Sequence, residues 1–340
     1  MKSKNQIVAG IFAAAGMALL ILDARTALSG AKEGVMLCLY TVIPSLFPFF
    51  VLSAMIGSCL TGRSIRFLRP VCKFCGIPEG SESLLLLGFV GGYPVGAQSI
   101  YEAYRGGQLH KTDAQRMLGF CNNGGPSFIF GMIAQLFHSP GVAWILWGIH
   151  IFSALITGWI LPGRSSNKCV LNVSKTMTIP QALERSIKNI AAVCGWVVLF
   201  RVILAVLRRW LLYFLPASAQ ALIIGTLELT NGCAELFSIQ SEWVRFLLCN
   251  LFLNFGGVCV AMQTLSACKD MGIGMYFPGK VLQSLIGIVI SFFIQPILFP
   301  GENYRNISAA AILISCCVCI GYTFFIRRKK SAGNLAANVV

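Results

Sequence analysis

The chain has 340 residues, 56% of them hydrophobic and only 11% charged, and its mean hydropathy is +0.75. Soluble domains carry roughly 25% charged residues, so this composition excludes an ordinary soluble domain and points to an all-α, polytopic helical membrane protein. The net charge of +15, from 27 Lys and Arg against 12 Asp and Glu, fits cytoplasmic loops at a lipid bilayer and argues against nucleic-acid binding.

Lys2 and Lys4 precede an apolar run at 6–24 that meets Asp23 and Arg25 without a small-x-small cleavage site, so 1–30 is expected as a retained N-terminal transmembrane helix. Further apolar segments follow at 35–60, 84–104, 114–137, 140–161, 188–212, 219–238, 243–268, 277–299 and 307–326, before a polar cytoplasmic tail at 327–340. Segments 84–104 and 219–238 have glycine-rich or polar middles and read as re-entrant hairpins, leaving about eight full spans. With both termini cytoplasmic, this topology puts 20 of the 27 Lys and Arg inside and six outside, with Arg201 within a span.

The interruptions recur in order. Residues 88–98 read GFVGGYPVGAQ and 121–127 read CNNGGPS; later, 225–235 read GTLELTNGCAE and 254–257 read NFGG. A span, a broken segment, a span with an early Asn-Gly-Gly break and a further span occupy 35–161 and again 188–299. Three full spans per copy make the second copy inverted, a layout of secondary transporters that bind solute at the breaks.

The candidate solute site is built from these breaks. Gly91, Gly92 and Pro94 open the backbone, leaving N–H groups that favour an anion, with Tyr93 and Gln98 beside them. Asn122, Asn123, Gly124 and Ser127 flank a second break at Pro126, and Asn231 and Asn254 hold the matching places in the later copy. The polar groups of Tyr93, Asn122, Asn123, Ser127, Asn231 and Asn254 are expected to meet near the midplane. An ionisable group at membrane depth costs about 2.5–3.5 kcal/mol on insertion scales. Glu228 is therefore a candidate proton or cation site, and Arg201 a partner for Glu228 or for an anionic solute; Gln263 is placed to face the same cavity, and Tyr93, Phe128 and Phe130 to give it a flat wall.

Nothing points to an enzyme, a cofactor or a metal. There is no P-loop, H-E-x-x-H or G-x-S-x-G, the three histidines do not cluster, and Cys72-x-x-Cys75 stands without a second ligand pair. The 14 cysteines lie mostly in apolar stretches, as small hydrophobes.

Residues 88–134, GFVGGYPVGAQSIYEAYRGGQLHKTDAQRMLGFCNNGGPSFIFGMIA, resemble the YlbJ (SpoVV) family of sporulation integral membrane proteins, within the wider group carrying the nucleoside-recognition or Gate domain. The resemblance rests on G-x-x-x-G-Y-P-x-G-A, on the basic loop with a spaced acidic-x-x-Arg, and on the break before P-x-F-I-x-G. It is strong in the first half and a matter of layout in the second. It implies two Gate-like repeats related in architecture to concentrative nucleoside transporters. It also implies residence in the outer forespore membrane of a sporulating cell, with movement of dipicolinic acid toward the spore. A homo-oligomer, or association with other sporulation membrane proteins, is left open. The expected function is secondary transport of a small carboxylate, dipicolinic acid above others; the alternatives are a non-transporting scaffold for spore-envelope assembly and a nucleoside transporter.

Overall fold

Glycine, proline and asparagine set where the helices of this chain stop. In a computed structural model, residues 2–60, 63, 65–163, 176–300 and 314–326 are described. The helices are α1 (Lys2–Leu22), α2 (Ala24–Leu37), α3 (Ile43–Leu60), α4 (Arg69–Cys75), α5 (Glu82–Val90), α6 (Val95–Arg105), α7 (Lys111–Cys121) and α8 (Pro126–Gly131). They continue with α9 (Pro140–Ile160), α10 (Ile179–Leu207), α11 (Ala217–Leu227), α12 (Leu229–Glu235), α13 (Glu242–Phe255), α14 (Gly257–Cys268), α15 (Tyr276–Leu298) and α16 (Ile314–Ile326). The protein is all-α and polytopic.

Both broken segments are hairpins. α5 and α6 fold back on each other about Gly91–Pro94, and a Cβ on Gly96 would lie 3.1 Å from Gly88 Cα. Gly92 has φ +73° at this turn, a conformation that favours glycine. α11 and α12 fold back about Glu228, with Gly225 and Gly232 face to face at backbone contact. Each hairpin precedes a broken helix. α7 ends at Cys121, Asn122 is extended, and α8 restarts with Pro126 in its first turn. α13 ends at Phe255, and α14 begins across consecutive left-handed glycines at Gly256 and Gly257, φ +81° and +82°.

Among the described residues five helical stretches are long and apolar enough to cross a membrane: Ala24–Leu60, Pro140–Ile160, Ile179–Leu212, Glu242–Cys268 and Tyr276–Leu298. Shorter apolar helices cover Ala13–Leu22, Ala217–Leu227 and Ile314–Ile326. The spans expected at 35–60, 140–161, 188–212, 243–268 and 277–299 fall on these five, and those expected at 6–24 and 307–326 contain the shorter helices Ala13–Leu22 and Ile314–Ile326. Segment 114–137 is two short helices and a 3-10 turn rather than one span. Residues 25–34, between the apolar segments at 6–24 and 35–60, are helical, and Gly30 and Gly34 seat α2 directly on α10. A Cβ on Gly34 would lie 3.0 Å from Val198 Cα, the close approach that Gly-x-x-x-Gly spacing permits. Residues 164–175 and 301–306 between expected spans, residues 307–313 of the span expected at 307–326, and the tail expected at 327–340 lie outside the described residues.

Two large apolar clusters form most of the buried core. One gathers α5, α6 and α7 with the first half of α15 around Met117, Phe120 and Leu282. The other gathers α8, α12 and α13 with the second half of α15 around Ile129, Phe246 and Phe292. α9 and α15 run through both, and between the cores both helices carry polar side chains. Large apolar residues such as Trp144, Phe152, Leu199 and Phe293 remain exposed on the long helices, as a lipid-facing surface requires.

Candidate functional site

The two hairpin turns and the first helix break meet at one cavity, which also abuts the helix restarting after the second break. Its lining comprises Gly92 and Tyr93 from the first hairpin, Glu228, Leu229 and Thr230 from the second, Gly124, Gly125 and Phe128 from the first broken helix, and Val260 and Gln263 from the second. Val193 and Val197 of α10, with Leu46 and Phe50 of α3, close the side. α6, α8, α12 and α14 all begin around this point; the first-turn N–H groups of α12 are capped by Glu228, and the Ala97 N–H of α6 is taken by Asn122. The cavity measures about 40 Å³, room for a few waters and below the roughly 300 Å³ or more of ordinary small-molecule sites.

Glu228 caps α12. Its carboxylate accepts the Thr230 N–H at 3.1 Å, the Asn231 N–H at 2.6 Å and Asn231 Nδ2 at 2.7 Å. Arg201 does not reach it. The guanidinium pairs with Glu33 at 2.6 Å and Glu235 at 3.6 Å and donates to Asn231 Oδ1 at 3.1 Å. The expected Arg201–Glu228 pair is thus replaced by a bridge through the Asn231 amide, and Arg201 borders the outer pockets instead of the cavity.

The asparagines of the breaks face the protein. Asn122 Oδ1 accepts the Ala97 N–H at 3.1 Å and Nδ2 donates to Thr264 Oγ1 at 2.9 Å, pinning the first hairpin to α14. Asn123 Nδ2 donates to Phe120 O at 2.6 Å, and its Oδ1 accepts Lys280 Nζ at 2.9 Å and Gln283 Nε2 at 3.1 Å. Asn254 Nδ2 donates to Asn250, while its Oδ1 accepts Gln283 Nε2 at 3.1 Å and contacts His150 Nδ1 at 3.1 Å. His150 Nε2 accepts the Gly124 N–H at 3.1 Å, so Nδ1 of the neutral ring is the donor toward Asn254. Asn123, Asn254, His150, Gln283 and Lys280 form one fully buried network that joins the two breaks.

Of the residues proposed from sequence, Gly92, Tyr93, Gly124, Glu228 and Gln263 line the cavity, with Phe128 as the aromatic wall beside Tyr93. Gly91 and Pro94 complete the first turn, and Ser127 is buried in the first turn of α8. Gln98 lies away from the cavity, in a reciprocal amide pair with Asn189 at 2.9 and 3.1 Å. Phe130 packs against Trp144 and Trp147 instead of forming a wall.

Two basic residues read as loop charges are interior. Arg116 donates to the carbonyls of Cys75 at 2.5 Å, Gly76 at 3.1 Å and Leu161 at 3.3 Å, and to that of Gly158, closing the C-terminal ends of α4 and α9. Lys280 is fully buried on α15. The sequence carried a signal for Lys280 and His150 in the helical spacing of polar residues inside apolar helices. Lys280, Gln283, Ser284, Gly287 and Ser291 share one face of α15, and His150, Ser153 and Thr157 one face of α9.

No family model matches the chain, and no solved structure matches it. The chain is similar to the sporulation integral membrane protein YlbJ of Bacillus subtilis (strain 168), with 22% identity over 323 residues covering 80% of this chain and 78% of that protein. The likeness is spread over four fifths of this chain and supports a relation to that sporulation integral membrane protein.

Proposed function

We propose that the protein is a secondary transporter of a small carboxylate, dipicolinic acid above others, acting during spore formation. The observation that carries this reading is the meeting of two hairpin turns and a helix break at one cavity, which α14 abuts as it restarts beyond the second break. Backbone breaks at membrane depth are tolerated where they are buried in protein or line a wet cavity. Solute sites of alternating-access proteins are built from such breaks. The order long helix, hairpin, broken helix, span occurs over α2–α9 and again over α10–α15; we read these as two Gate-like repeats in inverted orientation. Helix N-termini favour an anionic solute, and Glu228 on the facing wall is placed to carry the coupling proton or cation. The role in sporulation, the outer forespore membrane and cytoplasmic termini complete the reading, which the relation to YlbJ supports at the level of a sporulation membrane protein.

One observation favours the scaffold reading: the amides of Asn122, Asn123 and Asn254 are consumed by internal hydrogen bonds. Uptake of pyridine-2,6-dicarboxylate into vesicles holding the purified protein separates the two. Uptake above protein-free vesicles, abolished by collapsing the proton and sodium gradients, is the expected result. No uptake in either orientation, under any imposed gradient, refutes transport of this solute class.

A further inference from the structure

We propose that Lys280 supplies the positive charge that selects a carboxylate at the first hairpin turn; this deepens the transporter reading and rests on it. Lys280 Nζ lies 2.9 Å from Asn123 Oδ1 and 2.9 Å from Gln283 Oε1, and 5.5 Å from the centroid of the Tyr93 ring. All three neighbours are neutral. Among the described residues no carboxylate pairs with this ammonium, although the other interior cations are matched. Arg116 holds four carbonyls, Arg201 pairs with Glu33 and Glu235, and Arg245 pairs with Glu242 and donates to Leu136 O.

Burying a charge without a counter-ion is costly, and an apolar chain of similar volume would fill the same space at lower cost. Lys280 does not itself line the cavity; it lies directly behind residues that do. Tyr93, whose ring the ammonium touches, lines the cavity, and Gly124, next to Asn123, lines it too. The Tyr93 hydroxyl is buried without a hydrogen-bond partner beside the elbow at Gly256. A carboxylate at this turn would take the hydroxyl as donor and have the ammonium one side chain behind it. Glu228 on the facing wall orients the solute, because it repels the carboxylate toward the lysine side. A neutral solute would gain nothing from the charge. Lys280 therefore acts through Tyr93 as a positioning residue for substrate charge.

The test compares two solutes of one shape, pyridine-2,6-dicarboxylate and the neutral pyridine-2,6-dicarboxamide, in reconstituted vesicles. Lys280→Met, Lys280→Arg, Asn123→Asp and Asn123→Ala are measured beside the unaltered chain. The unaltered chain is expected to prefer the dicarboxylate, Lys280→Arg to retain the preference, and Lys280→Met to lose about tenfold or more of it through KM. Asn123→Asp places a counter-ion within hydrogen-bond reach of the ammonium. It should cause the same loss without removing the lysine, whereas Asn123→Ala should keep the preference. An unchanged dicarboxylate-to-dicarboxamide ratio in a monodisperse Lys280→Met protein overturns the proposal while transport stands. If that variant does not fold, an unchanged ratio in Asn123→Asp overturns it equally. Failure of the unaltered chain to move the dicarboxylate overturns the transporter reading and this inference with it.

Discussion

Replacing Asn122 with alanine distinguishes a pin from a ligand. Its side-chain oxygen is the acceptor for the Ala97 N–H, a first-turn donor of α6, and its Nδ2 donates to Thr264 Oγ1. Truncation leaves one buried N–H orphaned, at about 1–3 kcal/mol, and removes a second bond worth about 0.5–1.5 kcal/mol. Thr264 keeps its own bond to Val260 O at 2.8 Å, so the total is about 2–4 kcal/mol. The loss falls on the joint between the first hairpin and α14. Thermal unfolding in detergent is expected to show a clear drop for Asn122→Ala. Asn122→Asp, which keeps the acceptor for Ala97, should fall less. In vesicles the maximal rate should fall with the population of folded protein while KM holds. An unchanged unfolding temperature together with a raised KM would refute the reasoning, because the side chain would then face the solute.

Other outcomes follow from the same geometry. Gly232→Ala drives a Cβ into the backbone of Gly225 and should destabilise by about 1–3 kcal/mol, whereas Gly195→Ala on α10 meets nothing within 4 Å and should be neutral or stabilising; unfolding temperatures check the pair. Arg116→Met strands the four carbonyls that close α4 and α9 and is expected to cost about 3–5 kcal/mol, with Arg116→Lys rescuing only part, measured as protein yield and unfolding temperature. Asp270 accepts the Tyr101 hydroxyl at 2.6 Å, which chiefly holds its carboxyl below the usual range of about 3.9. A depressed folded value stabilises above the unfolded one and is lost as pH falls through the folded value. Asp270→Asn should therefore lower stability at neutral pH and match the unaltered chain in strong acid, read from unfolding temperature against pH.

The breaks were legible because their chemistry is local. Gly92, Pro94, Gly256 and Gly257 cannot extend a helix in the conformations they adopt, and those residues stand out in an apolar chain. Partner choice was not legible. Glu33 sits between the apolar segments at 6–24 and 35–60, and the close seat of Gly30 and Gly34 on α10 brings it to Arg201. Lys280 was counted with the loop charges because it lies one turn from the start of α15; its burial follows from tertiary packing against Asn123 and Tyr93. The break asparagines showed their importance in the sequence but not their direction. An amide beside a helix break serves equally well as a support for a neighbouring backbone group or as a contact to solute.

Helix α10 ties both hairpins to one element, and this suggests where the cavity opens. Arg185, Asn189, Val193, Val197 and Arg201 recur every fourth residue, a single ridge along the helix. Its first part holds the first hairpin, through Arg185–Glu102 at 2.6 Å and the Asn189–Gln98 pair. Its middle lines the cavity, its last part reaches the second hairpin through Arg201–Asn231, and Arg208 just beyond its end pairs with Glu235 at 2.6 Å. Toward the Glu102 side lies a second pocket of about 220 Å³ that holds Ser53, Ser99 and Asn189. Phe50 is buried among Val95, Val193 and Val197 and lines both spaces. Phe50→Ala removes the ring and is expected to join them, at about 3–5 kcal/mol if the neighbours do not collapse. Passive release of preloaded dicarboxylate from vesicles is expected to rise in this variant, while Phe50→Leu stays close to the unaltered rate. Equal release from all three proteins at matched amounts would show that the barrier lies elsewhere, with the paired charges of the hairpins the next place to look.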